Sequence, residues 1–198
     1  VFTLRQYLLA LLDSRGLTRT LGEIDVCRDE QGRPCFSAGN SAAVFRIRLG
    51  GRIRSLRCYL RPMRHLKEIY GQRLLKKELY LHTSPETGVW VDTVLGDWIE
   101  GSTLHETVAQ AAALRDRESL QILVRLFDRL ALALVTDDRA HGDLKPENII
   151  VGDDGTLCPI DFDASYLPAF AGEISPELGT AAYQHPARTA ADFNERLD

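Results

Sequence analysis

A cluster of polar side chains, His141-Gly142-Asp143-Leu144-Lys145-Pro146-Glu147-Asn148, stands between a hydrophobic helical pattern and a short β-prone run. Asp143 is a carboxylate able to take a proton from a nucleophilic hydroxyl. Lys145 can neutralise charge on a transferring group, and Asn148 offers an amide oxygen to a hard cation. Thirteen residues beyond Asn148, Asp161 ends a second β-prone run. Pairing of residues 149–151 with 157–160 across Gly152-Asp153-Asp154-Gly155 makes a hairpin that folds Asn148 and Asp161 toward each other. Mg²⁺ takes one or two protein oxygens and fills its shell with phosphates and water, so such a pair asks for a nucleotide.

These residues need elements to hold them. A length of 198 residues fits one domain or two half-sized lobes. Apolar residues at 44%, charged residues at 26% and aromatics at 8% suit a chain with a core and exclude wholesale disorder. A formal charge of −4 gives no overall pull toward nucleic acid or an anionic membrane. No run approaches the ~20 apolar residues of a membrane span. Eight basic residues and no acid lie between positions 46 and 67: Arg46, Arg48, Arg52, Arg54, Arg57, Arg61, Arg64 and Lys67. Arg46 and Arg48 flank Ile47, and Arg52 and Arg54 flank Ile53, which reads as the solvated face of a half-buried sheet rather than a nucleic-acid patch. The four cysteines, Cys27, Cys35, Cys58 and Cys158, have neither C-x-x-C nor metal-ligand spacing and read as reduced thiols of a cytoplasmic protein.

Leu4, Leu8, Leu9, Leu11 and Leu12 form a helical stripe closed by residues 13–16. Short β-prone runs at 24–27, 43–49 and 53–60 alternate with glycine turns and predict an antiparallel meander. Residues 63–79 carry Leu66, Ile69, Tyr70, Leu74 and Leu75 among charged residues, which predicts a one-faced helix. Strands are expected at 79–82 and 89–98. Beyond Gly101 the pattern turns helical over 104–114 and 119–135. The second of these, lined by Leu120, Leu123, Leu126, Phe127, Leu130 and Leu134, is expected to be almost fully buried. Residues 164–186, rich in Gly, Pro and Ser, read as a long ordered loop.

The segment 141–148 resembles the H-R-D-L-K-x-x-N catalytic loop of protein kinases, and Ile160-Asp161-Phe162 is similar to their D-F-G metal segment. The spacings of five and thirteen residues between Asp143, Asn148 and Asp161 match that family. Ser37-Ala38-Gly39-Asn40-Ser41-Ala42-Ala43-Val44 resembles the glycine-rich loop over ATP phosphates, with Gly39, Asn40, Ser41 and Val44 as the contacts. Ser55-Leu56-Arg57-Cys58-Tyr59 is similar to the V-A-I-K strand, with Arg57 in the place of the lysine. The resemblance implies a helical glutamate for that cation, Glu68 or Glu78, and Glu68 fits the spacing better. Asp97-Trp98-Ile99-Glu100-Gly101 resembles the linker whose backbone meets adenine, through the Asp97 carbonyl and the Ile99 amide. The stretch 177–186 is similar to the end of an activation segment, with Thr180 beside the catalytic Asp and Lys. Three departures stand out: Gly142 for the Arg of H-R-D, Asp163 for the Gly of D-F-G, and Ala187 for the Glu that closes the segment. Asp163 reads as a turn residue.

The resemblance implies an α+β, protein kinase-like two-lobed fold. Residues 1–97 would hold an N-terminal extension and a small antiparallel β lobe with one helix. Residues 98–198 would hold the hinge and the first part of a mainly helical lobe, with further core helices beyond Asp198. It further implies a kinase that uses ATP and Mg²⁺, with Asp143 and Lys145 catalytic, Asn148 and Asp161 on the metal and Arg57 on the phosphates. The Lys two residues after Asp143 points to Ser/Thr of a protein as acceptor. Two alternatives stand beside this: a phosphotransferase of the aminoglycoside or choline type, which shares H-G-D, and a pseudokinase acting as a binding module.

Overall fold

The computed structural model describes residues 1–198, which divide into two compact units, Val1–Trp98 and Ile99–Asp198. The fold mixes four α-helices with nine strands, and every strand pair is antiparallel. No helix is long and apolar enough to cross a membrane.

In the first unit, α1 (Leu4–Leu12) opens on a capping box in which Thr3 and Gln6 satisfy each other's backbone N–H groups. Strands β1 (Asp25–Val26), β2 (Phe36–Ala38), β3 (Ala42–Leu49), β4 (Arg52–Tyr59), β5 (Leu74–His82) and β6 (Gly88–Asp97) form one sheet. Its order is β1-β3-β4-β6-β5, with β2 also paired to β3. Alternation places Ala43, Phe45 and Ile47 of β3 opposite Cys58, Leu56 and Arg54 of β4. Phe45, Ile47, Leu56, Cys58, Leu79 and Leu81 bury against Tyr7, Ala10 and Leu11 of α1. On the other face Arg48 approaches Asp25 at 3.7 Å, and the Arg46 guanidinium lies over the Trp98 ring at 5.6 Å. Arg54 reaches Asp97 at 3.4 Å. The basic stretch does not form a single solvated face: the register puts Arg46, Arg48 and Arg57 on one side of the sheet and Arg52 and Arg54 on the side of Ile47 and Leu56, each set with acidic or aromatic partners.

The leading residues are part of this unit rather than an appendage. The Tyr7 hydroxyl donates to the Tyr59 carbonyl at 2.7 Å, and burial pushes that phenol up. Residues 17–19 run beside β5, with Tyr80 N–H on the Leu17 carbonyl at 2.7 Å and Arg19 N–H on the Glu78 carbonyl at 2.9 Å. The Glu78 carboxylate, 1% exposed, accepts the N–H groups of Arg19, Thr20 and Leu21 at 3.1, 2.8 and 2.9 Å and the Thr20 hydroxyl at 2.6 Å.

The helix expected over 63–79 is a correction. Only α2 (Leu66–Tyr70) forms, followed by a 3₁₀ turn at Gly71–Arg73 and then β5. Gly71, at φ 54°, closes the helix in a conformation that side chains disfavour. Beyond it the period-two alternation of Leu79 and Leu81 with Tyr80 and His82 outweighs the helical spacing of Leu74 and Leu75. Lys77 sits in a register slip of β5 at φ 50°, its N–H on Asp92 Oδ1 at 2.7 Å. Glu78 is therefore a strand residue.

In the second unit β7 (Gly101–Thr103), β8 (Ile149–Gly152) and β9 (Leu157–Pro159) make a small sheet in that order. Helix α3 (Leu104–Ala113) starts on a second capping box, Thr103 with Glu106. Helix α4 (Arg117–Thr136) is capped by Asp116. Leu123 packs with Leu104 and Ile149, joined by Leu130, Leu144, Val151 and Leu157. The expectation that α4 is almost fully buried fails. Leu123 is its one buried residue, while Ile122, Val124, Phe127, Leu132 and Val135 are exposed. Apolar residues run around most of the helix, and α3 with the small sheet covers one stripe of them.

Of the cysteines, Cys58 is buried and its thiol pushed up by burial; Cys27, Cys35 and Cys158 are half-buried, and all four are free. Truncation of Glu78 to alanine removes a buried acceptor shared by three N–H groups and one hydroxyl. Glu78→Ala is expected to lower unfolding free energy by about 3 kcal/mol, read by urea denaturation.

Candidate active site

The first unit carries the residues assigned to the nucleotide. Ser37 and Ala38 end β2, Gly39 and Asn40 make the turn, and Ala42 begins β3, with Gly39 N–H on the Ala42 carbonyl at 2.9 Å. Val44 on β3 faces Arg57 on β4 in register, and Arg57 in turn faces Val94 on β6. The Arg57 guanidinium lies over the Tyr59 ring, 5.9 Å from its centroid. Glu68 stands exposed in the first turn of α2. Glu78 is removed from the choice of a partner for Arg57, because its carboxylate is occupied by the backbone of residues 19–21. Asp97 ends β6, and its carbonyl accepts the Ser55 hydroxyl at 3.1 Å. Ile99 opens the second unit.

The second unit carries the residues assigned to the chemistry, and it brings four of them together. Asp143 Oδ1 accepts the Thr180 N–H at 2.6 Å. Its Oδ2 lies 3.2 Å from Lys145 Nζ and 3.2 Å from Asn148 Nδ2. Lys145 Nζ also donates to Thr180 Oγ1 at 2.8 Å. The side chains of Lys145 and Asp143 are 24% and 18% exposed, so the pair is shielded yet reachable. Asn148, buried at the end of the 3₁₀ turn Pro146–Asn148, also donates to the Asp143 carbonyl at 2.9 Å. With its nitrogen turned toward Asp143, its amide oxygen is the atom left for a cation.

The hairpin expected between Asn148 and Asp161 forms. Ile149 pairs with Pro159, and one step out the Ile160 N–H donates to the Asn148 carbonyl at 2.8 Å. Asp161 follows directly, at φ 68°, and leads into the 3₁₀ turn Phe162–Ala164, in which Asp163 is buried. No cluster of three or more His, Cys, Asp or Glu able to hold a metal exists in the chain. The side chains of Asn148 and Asp161 would each offer a hard oxygen. That fits a cation shared with phosphate rather than one caged by protein.

The loop is fixed from beneath. His141, 3% exposed, places Nε2 2.7 Å from the Ile160 carbonyl and packs its ring 5.1 Å from that of Phe162. Gly142 has φ 79°, and a Cβ there would stand 2.2 Å from the Ala164 carbonyl oxygen. The glycine in place of the arginine of H-R-D is therefore a steric requirement here. Asp198 accepts the N–H groups of His141 and Gly142, the second at 2.9 Å. No local sequence pattern marks Asp198 or Arg188: Asp198 lies 56 residues from Gly142, and Arg188 lies 46 residues from the Gly142 carbonyl it donates to.

The chain is similar in sequence to Ser/Thr protein kinases, which supports kinship with a protein kinase-like superfamily. CBL-interacting protein kinase 17 of rice, Oryza sativa subsp. japonica, is 30% identical over 167 residues, covering 82% of this chain and 35% of the relative. Serine/threonine-protein kinase PknL of Mycobacterium tuberculosis is 37% identical over 93 residues, 44% of this chain and 22% of that protein. The chain thus spans about a third or less of the relatives it matches. No protein-family model matches it.

Gly142→Ala is expected to cost about 3 kcal/mol in stability, since it combines a disfavoured φ with a backbone clash. Thermal unfolding checks this, with Gly155→Ala as the control: that position shares the positive φ, but a Cβ there meets nothing within 4 Å.

Proposed function

We propose that this chain is part of an ATP-dependent kinase that moves the γ-phosphoryl group to a hydroxyl, that of Ser or Thr in a protein. One observation carries the reading: a carboxylate, an ammonium and a threonine held in mutual contact, with Asp143 2.6 Å from the Thr180 N–H and Lys145 2.8 Å from its hydroxyl. The relatives, both named as protein kinases, favour a protein acceptor.

In this reading Asp143 orients the acceptor hydroxyl and receives its proton as oxygen bonds to the γ-phosphorus and the bond to the departing ADP breaks. Lys145 sits beside that carboxylate and offsets negative charge on the transferring group. Asn148 and Asp161 would hold Mg²⁺, which supplies charge neutralisation on the phosphates. Arg57 anchors phosphate oxygens through a planar fork where an ammonium would act as a point charge. Glu68 is the helical carboxylate assigned to Arg57, and Gly39, Asn40, Ser41 and Val44 cover the phosphates. The Asp97 carbonyl and Ile99 amide meet adenine, Asp97 with the lone pair that Ser55 leaves open. Residues 1–97 serve as the small nucleotide-binding lobe and 98–198 as the hinge and part of the large lobe. The reaction belongs in the cytoplasm, where the free thiols stay reduced.

A second reading, transfer to an aminoglycoside- or choline-like hydroxyl, is favoured by Gly142, which gives H-G-D and is demanded by the packing against Ala164. Labelled ATP offered with protein and small-molecule acceptors separates the two. Label on Ser or Thr supports the first, and label confined to a small alcohol replaces it with the second. Mg²⁺-dependent ATP binding without transfer to any acceptor leaves a binding module instead. Asp161→Ala is expected to abolish Mg²⁺-dependent ATP binding, read by calorimetry with and without EDTA; unchanged binding would remove Asp161 from the metal.

A further inference from the structure

Gly142, the residue before Asp143, is held by charge through the peptide on each side of it. Asp198 takes the N–H of Gly142 at 2.9 Å, and Arg188 Nη1 donates to the Gly142 carbonyl at 3.1 Å. The same guanidinium reaches Gln184 Oε1, while Nη2 lies 3.5 Å from Ser175 Oγ and 3.4 Å from the Glu177 carbonyl. Arg188 therefore ties the segment 175–184, which carries Thr180, to the loop that carries Asp143. Gly179 completes the contact: a Cβ there would stand 2.6 Å from the Gly142 carbonyl oxygen and 3.1 Å from Asp143 Oδ1.

This arrangement is costly. The Nε atom of Arg188 is buried with no hydrogen-bond partner. Burial holds the group below the ordinary arginine pKa, against the pull of the Asp198, Asp143 and Asp192 carboxylates. A carbonyl needing one donor could be served by water, so the cost points to a role for this particular guanidinium. That role lies in the freedom of glycine. Gly142 can rotate where other residues cannot, and rotation of its peptide carries Asp143 away from the Thr180 N–H.

We propose that Arg188 is a positioning residue: it holds the Gly142–Asp143 peptide by its carbonyl while Asp198 holds the preceding His141–Gly142 peptide by its N–H, and together they clamp Gly142 and so fix the carboxylate of Asp143 against Thr180 and Lys145. Its catalytic consequence rests on the phosphotransfer reading above, whereas the clamp itself does not.

The test compares Arg188→Met and Arg188→Lys in the full chain with two readouts: amide hydrogen exchange over residues 140–145, and kcat and KM with Mg²⁺-ATP. Arg188→Met is expected to speed exchange in that peptide and to lower kcat by about 30-fold with KM for ATP within about twofold, the pattern of a displaced catalytic group. Arg188→Lys keeps one donor and is expected to recover part of both. Unchanged exchange in Arg188→Met overturns the clamp. An unchanged kcat, or a lysine variant no better than methionine, overturns the positioning role. If the wild-type protein transfers no phosphate, the phosphotransfer reading and the catalytic consequence fall together, and the exchange comparison still decides the clamp.

Discussion

The carboxylate of Asp143 is where the second unit's polar structure converges. Its two oxygens are met by a backbone N–H from Thr180, an ammonium from Lys145 and an amide from Asn148. Each donor comes from a different local structure: an ordered loop, a turn entry and a 3₁₀ end. None of these fixes the carboxylate alone. Donors to an ionised oxygen are roughly twice as strong as neutral ones, so the carboxylate draws the segments together as much as they hold it. The surrounding features follow from that demand. Gly142 gives the loop its left-handed bend, His141 seals its underside, and the β8–β9 hairpin sets Asn148 beside the residue that leads into Asp161.

The first unit answers a different constraint. Its sheet has β5 at one edge, and an edge strand leaves backbone groups unpaired. Residues 17–19 take up part of that edge, and the Glu78 carboxylate, turned inward, fixes the segment through three N–H groups. The leading helix then closes the core through Tyr7, Ala10 and Leu11. A stretch that looks dispensable beside the catalytic motifs is thus what allows a small sheet to bury one face.

Legibility in the sequence followed the range of the interactions. Asp143, Lys145 and Asn148 lie within six residues of each other, and the hairpin beyond them carries its own turn signal, so motif and scaffold could be read together. Thr180 entered through resemblance and stands in contact with both Asp143 and Lys145. Residues 63–79 misled because Leu74 and Leu75 continue a helical spacing past Gly71, a stop signal outweighed in the reading by the stripe. Helix α4 misled in the opposite sense: leucine spacing tells which residues could be buried, not which have a partner. The roles of Glu78 and Asp198 were invisible, since each is defined by backbone groups far away in the chain.

The most direct test is the rate of phosphoryl transfer in a single turnover with Asp143→Asn, at saturating Mg²⁺-ATP and with ATP affinity measured in parallel. The account predicts a fall of at least about 10²-fold in the transfer rate with ATP affinity retained, because the amide keeps the shape of the side chain and loses its basicity. Transfer at the wild-type rate would contradict it.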